Sequence, residues 1–247
     1  SKNTKEYILV LHDITQLRSF SSMRRDFISN LSHELRTPVS VIRANSETLI
    51  DGALDDKKQA KVFAKAILHN AERLTDMVSS LLDLSRIEYG ELKLNFQEID
   101  LNKFFENFIS SISNLSKKKN INILYKPNHD GLIKGDLQAI ERIMNNLIDN
   151  AIKYSDEGSD IEISTANDEK YIKVMVADSG SGISEEDQDH IFSRFYRTAS
   201  ARATDNQGSG LGLAIVKHLV NNLNGDVGID SKEKTGSIFW FSLPKTQ

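Results

Sequence analysis

Between Leu17 and Asp51, Ile28, Leu31, Leu35, Pro38, Ile42, Asn45 and Leu49 recur at alternating intervals of three and four, a line that is apolar except at Asn45. That spacing predicts a long amphipathic helix with a heptad seam, interrupted only by Pro38. Gly52 can stop it, and Asp55 or Asp56 can cap a second helix, in which Ala60, Ala64, Ile67, Ala71, Leu74, Val78 and Leu81 repeat the alternation. Two long helices joined by a turn predict an antiparallel hairpin. Each has a narrow apolar stripe that a lone hairpin cannot cover on both sides, so a homodimeric four-helix bundle is the expected assembly. Ahead of the helices, residues 6–14 predict a strand whose partners would lie upstream of Ser1, as if the chain opened inside a truncated preceding domain.

Beyond Gly90 the period shortens. Strands are expected at 97–101, 121–125, 131–135, 160–166, 171–178, 226–231 and 236–243, alternating with helices near 102–119, 136–153 and 211–223. This order predicts a mixed sheet covered by helices. Residues 198–209 are small and polar without periodicity and are expected to form a mobile loop. Of 13 glycines only Gly52 and Gly90 precede residue 131, which separates a helical first part from a turn-rich second part. The expected division is 1–16, a remnant of a preceding domain with its linker; 17–90, the helical pair; and 91–247, the α/β domain.

Composition narrows the chemistry. Thirty-one basic against 35 acidic residues give a net charge of −4, so no broad electrostatic grip on nucleic acid is expected. Cysteine is absent, which removes disulfides, thiol nucleophiles and thiolate metal sites. The longest early apolar run, Ile8 to Leu11, falls far short of the roughly 20 residues that span a bilayer. The remaining histidines, His12, His69, His129, His190 and His218, show no shared metal spacing.

His33 falls at heptad position f, facing solvent. A surface histidine is unremarkable alone, but Glu34 is adjacent, Thr37 lies one turn on along the same face, and Pro38 breaks the hydrogen-bond ladder nearby. An exposed imidazole beside a carboxylate that can take its proton suits nucleophilic chemistry. Ser32-His33-Glu34-Leu35-Arg36-Thr37-Pro38 resembles the H-box of sensor histidine kinases, within an Arg25-Asp26-Phe27-Ile28-Ser29-Asn30-Leu31 context similar to that family's. The resemblance implies that His33 accepts the γ-phosphoryl group of ATP, that Glu34 acts as acid or base, and that Thr37 orients a water during phosphatase action.

Asn146, Asn150 and Lys153 share one face of a predicted helix, where amide oxygens suit Mg²⁺ and a lysine can meet phosphate oxygens. The stretch from Asn146 to Tyr154 resembles the family's N-box. Asp178, ahead of Gly180 and Gly182 at a strand end, can accept a hydrogen bond from the exocyclic amine of adenine and so favours ATP over GTP; the segment is similar to the G1 box. Gly208, Gly210, Leu211 and Gly212 lead into a helix whose N-terminus is an anion site, and this segment resembles the G2 box. It is neither a Walker A motif nor a dinucleotide fingerprint. Ile191 to Arg197 resembles the F-box, in which Arg197 would neutralise the γ-phosphate or the new phosphohistidine.

All five boxes stand in family order. They imply a dimerisation and phosphoacceptor hairpin followed by the Bergerat ATP-binding fold shared with gyrase, Hsp90 and mismatch-repair ATPases. The implied cofactors are ATP and Mg²⁺, and the implied partners a second copy and a response regulator receiver domain, with no nucleic acid. The parent is expected to be a bacterial inner- or plasma-membrane protein of which this is a cytoplasmic portion. Residues 6–16 resemble the last strand of a PAS sensor domain, and Arg24-Arg25-Asp26-Phe27 resembles the phosphate-responsive subgroup. The alternative is a Bergerat-fold ATPase that uses nucleotide-driven dimerisation for mechanical work, which has no need of the group around His33.

Overall fold

The computed structural model describes residues 15–88, 90–117, 119–128, 132–204 and 208–246. The strand expected at 6–14 lies outside them. The chain divides into two compact units, one ending at Ile67 and the other beginning at Leu68.

The first unit holds α1 (Thr15–Ile50), a 3-10 turn (Ala53–Asp55) and the opening turns of α2 (Lys57–Glu88). Helix α1 runs unbroken through Pro38. It stops where Gly52 takes φ +130°, a conformation that side chains oppose. Asp56 rather than Asp55 caps α2, accepting the Lys58 N–H at 2.8 Å.

On α2 the apolar frame differs from the expected one. The better covered positions are Phe63, Ile67, Asn70, Leu74, Met77, Leu81 and Leu84, whereas Ala64, Ala71 and Val78 are exposed together with Leu68 and Leu82. Ile67, Leu74 and Leu81 belong to both frames. The helix carries two neighbouring apolar stripes, and the expected line follows, at Ala64, Ala71 and Val78, the one that the single chain leaves exposed.

In the second unit, β1 (Gln97–Ile99) pairs antiparallel with β3 (Ile133–Gly135) as a separate ribbon. The other strands form one mixed sheet, in the order β2 (Asn122–Lys126), β4 (Asp160–Asn167), β5 (Tyr171–Asp178), β7 (Gly236–Pro244), β6 (Val227–Lys232). Only β2 and β4 are parallel. Alternation decides the faces: Ile161, Ile163, Ile172, Val174, Val176, Phe239, Phe241 and Leu243 are buried. They form the core with α3 (Leu101–Lys117), α4 (Leu137–Tyr154) and α7 (Gly212–Asn222). The opposite face carries a Lys126–Glu162 ion pair, and Lys173 lies 3.9 Å over the Trp240 ring.

Helix α4 is fixed at both ends. Asp136 caps it through the Ala139 N–H at 2.8 Å, while its other oxygen accepts the Asn95 N–H at 2.7 Å. At the far end Lys119 Nζ donates to the carbonyls of Ile152 and Lys153, placing a cation on the negative pole of the helix. Ile140, Ile143, Met144, Leu147, Ile148 and Ala151 turn inward, which leaves one polar face outward. Arg142 on α4 is ion-paired with Asp83 of α2.

The segment expected as a featureless loop contains a helix, α6 (Ala199–Thr204). Its start is made by Thr198 Oγ1, which accepts the Ala201 N–H at 3.0 Å. A helix this short is set by its cap and leaves no apolar period to read.

Candidate functional site

In the first unit His33 is exposed on α1, as the heptad frame requires. Glu34 follows it, half-buried, and Thr37 Oγ1 donates to the His33 carbonyl at 3.4 Å. Pro38 is buried and has no N–H to give the helical ladder.

In the second unit the polar face of α4 forms one wall of a cleft, to which Asn146, Asp149, Asn150, Lys153 and Tyr154 all contribute. Opposite stand Asp178 at the end of β5, Gly182 in the turn after it, Arg197, and the glycines Gly208, Gly210 and Gly212. Gly180 and Leu211, expected at the site, are buried and do not line it. A Cβ on Gly180 would fall 2.6 Å from the Tyr154 carbonyl oxygen, so this glycine lets the turn close on the end of α4.

Asp178 receives two backbone N–H groups, from Gly180 at 2.8 Å and from Ser237. Burial raises its pKa above the ordinary aspartate value, and these two donors oppose the rise. Its remaining lone pairs can accept an exocyclic amine. Ile183, Ile191 and Phe239 give the cleft apolar surface suited to a flat purine.

Gly210 has φ +69°, and a Cβ there would approach the Phe195 carbonyl carbon to 2.7 Å. No side chain caps α7, so its first N–H groups are available at the glycine-lined end of the cleft. Asn146 Nδ2 donates to the Arg142 carbonyl at 2.9 Å, which orients the amide. A Cβ on Gly212 would lie 2.7 Å from the Asn146 oxygen, so glycine keeps that oxygen uncovered. Arg197 lines the cleft while donating to the Ala201 carbonyl at 2.7 Å.

Sequence reasoning missed several lining residues. Asp149 was within reach of it, since it stands four residues before Lys153 on the same helix. Burial raises the pKa of Asp149, and the Lys153 charge opposes the rise. Ser237 comes to the cleft only through its register opposite Asp178. Ser80 comes from α2, and no local pattern announces it.

Two family models match the chain, the first of them across the boundary between the two units. Residues 23–90 match the His Kinase A (phospho-acceptor) domain, and residues 135–247 match the histidine kinase-, DNA gyrase B-, and HSP90-like ATPase. The sensor-like histidine kinase SenX3 of Mycobacterium tuberculosis is 37% identical over 237 residues, 96% of this chain and 58% of that protein. The chain thus spans less than two thirds of the curated relatives it matches. Histidine kinase ThkA, solved in complex with response regulator protein TrrA, is 26% identical at a TM-score of 0.74, covering 95% of this chain and 68% of that one. The separate catalytic domain of ThkA is 30% identical at a TM-score of 0.55, over 62% of this chain and 97% of that one.

Proposed function

The chain belongs to the sensor histidine kinase family, and from that premise we propose that it phosphorylates His33 with ATP. It then passes the phosphoryl group to an aspartate of a response regulator, and it also dephosphorylates that regulator. One observation carries the reading. An exposed His33 followed by a half-buried Glu34 stands in the first unit, and the second unit holds a cleft that combines a half-buried acceptor, Asp178, with an uncapped helix end and two carboxamides. A mechanical ATPase would use the cleft but not His33. The ThkA–TrrA complex supports a response regulator as partner.

In this reading Asp178 accepts the adenine amine, while the N–H groups at the start of α7 and the glycines receive the phosphates. Lys153 and Arg197 offset their charge, and Tyr154 completes the wall of the cleft. A nitrogen of His33 forms a bond to the γ-phosphorus as the bond to the ADP oxygen breaks, and Glu34 takes the imidazole proton. Positioning and charge neutralisation suffice because the transition state is loose. During dephosphorylation Thr37 orients the attacking water.

The amide oxygens of Asn150 and Asn146 fit Mg²⁺, a hard cation that takes few protein ligands and keeps phosphate oxygens and waters. When bound, Mg²⁺ supplies further charge neutralisation at the phosphates. Among the described residues no cluster of acidic or histidine side chains competes for that role.

The expected division into a linker remnant (1–16), a dimerising phosphoacceptor pair (17–90) and a catalytic domain (91–247) belongs to the same proposal, as does a homodimer. Among the described residues no helix is long and apolar enough to cross a membrane. Membrane attachment of the parent protein is part of the same proposal.

Asn150→Asp and Gly210→Ala test the cleft. The first places a carboxylate where phosphates should lie, and the second forces a Cβ into a φ +69° position against Phe195. Both variants are expected to lose at least about tenfold in labelling by γ-labelled ATP while His33 is intact, a change worth about 1.4 kcal/mol. Unimpaired labelling would contradict the assignment of the cleft.

A further inference from the structure

Tyr196 lines the cleft and ends a hydrogen-bonded chain whose other members lie outside the boxes. Asp187 lies in α5 (Glu185–Gln188), and both of its carboxylate oxygens are engaged. Tyr196 donates its hydroxyl to Oδ1 at 2.5 Å, and Ser184 donates to Oδ2 at 2.7 Å. Four residues cannot hold a helix by their own ladder. Instead α5 is tied to the sheet: Gln188 Nε2 donates to the carbonyls of Ile183 and Ser231 at 3.0 and 2.9 Å, and the Ile183 N–H donates to Ser231 Oγ at 2.9 Å. Ser231 is part of β6.

The other end of the chain meets strained backbone. Phe195 is buried at φ +61°, a conformation a bulky residue keeps only when its surroundings over-determine it. Its N–H donates to the Gly210 carbonyl at 2.9 Å, and Tyr196 and Arg197 follow directly. The His190 ring lies 5.6 Å from that of Tyr196.

We propose that Asp187 is a positioning residue for nucleotide recognition: anchored to the sheet, it fixes the Tyr196 hydroxyl and so the backbone that aims Arg197 into the cleft. The proposal rests on the reading of Arg197 as the partner of the γ-phosphate. The two hydroxyl donors hold the Asp187 carboxyl below its ordinary pKa, and the same contact raises the Tyr196 phenol. Tyrosine is therefore the donor and aspartate the acceptor throughout the neutral range. A loop held only for stability would affect ATP and ADP alike. A loop held for Arg197 affects the ligand that has a γ-phosphate.

The test titrates the chain with ATP and, separately, with ADP, using wild type, Tyr196→Phe, Asp187→Ala, Asp187→Asn and the Tyr196→Phe/Asp187→Ala double variant. Thermal midpoints are recorded alongside. Tyr196→Phe removes one oxygen and keeps the ring, so it stays informative if Asp187→Ala folds poorly. Tyr196→Phe and Asp187→Ala are each expected to lose about tenfold in ATP affinity, with ADP affinity changed less than about twofold and the double variant no worse than either single. Asp187→Asn, whose amide oxygen still accepts the phenol, should keep most of the affinity. No loss, or equal loss for both nucleotides, overturns the proposal. A wild type that binds neither nucleotide overturns the kinase reading, and this proposal with it.

Discussion

In the proposed reading, Asp178 links burial to recognition. Its raised pKa means that the folded chain favours the protonated carboxyl. This group's contribution to folding stability is therefore present at low pH and is lost as pH rises through the folded-state value. Nucleotide binding has the opposite sign, because the ionised carboxylate is the stronger acceptor for an amine donor. ATP affinity is expected to fall on acidification at a pH above the ordinary aspartate range, and Asp178→Asn should remove that dependence while lowering affinity about tenfold. Binding isotherms from pH 7 downward check this; a wild type and an Asp178→Asn variant with the same pH profile would contradict it. Asp178, Asn146 and Asn150 were legible because a strand end and a 3.6-residue period fix where such side chains point. Ser237 and Phe239 were not, because strand register, a non-local property, brings them to the cleft. Leu211 makes a related point: a residue inside a glycine box can bury its side chain in the core.

At the level of elements, the fold followed its periodicities except where two signals overlapped. Every strand and helix expected beyond Gly90 lies within two residues of its place. The one sheet expected became a five-stranded sheet and a two-stranded ribbon, since alternation marks strands without naming their partners. Helix α2 is the instructive case. Its exposed stripe of Ala64, Leu68, Ala71, Val78 and Leu82 keeps heptad spacing, with Leu68 and Leu82 more than half exposed. Burying each of its larger side chains contributes about 1.5–3 kcal/mol, which makes this stripe the surface a second copy would cover. Val78→Glu places a charge there without touching the covered stripe. It is expected to sediment as a monomer at concentrations where the wild type is a dimer, with unchanged far-ultraviolet circular dichroism. A variant with the wild-type sedimentation coefficient would show that the dimer lies elsewhere.

For the whole molecule, His33 lies in one compact unit and the cleft lies in the other, so the proposed phosphoryl transfer draws on both. The sequence changes period at Gly90 and gives no sign of the boundary between Ile67 and Leu68, which falls inside α2. What it withheld were the ties that make the cleft rigid, such as Lys119 on the end of α4 and Ser231 beneath α5, since single polar residues carry no period. The central claim is that His33 is the phosphoryl acceptor. The direct measurement is incubation with γ-labelled ATP and Mg²⁺, wild type beside His33→Gln, followed by acid and alkali treatment of the protein. The expected result is an acid-labile, alkali-stable label, as a phosphoramidate requires, present in the wild type and absent from the variant. Hydrolysis of ATP at equal rates in both, with no label on either protein, would contradict it and favour the mechanical ATPase.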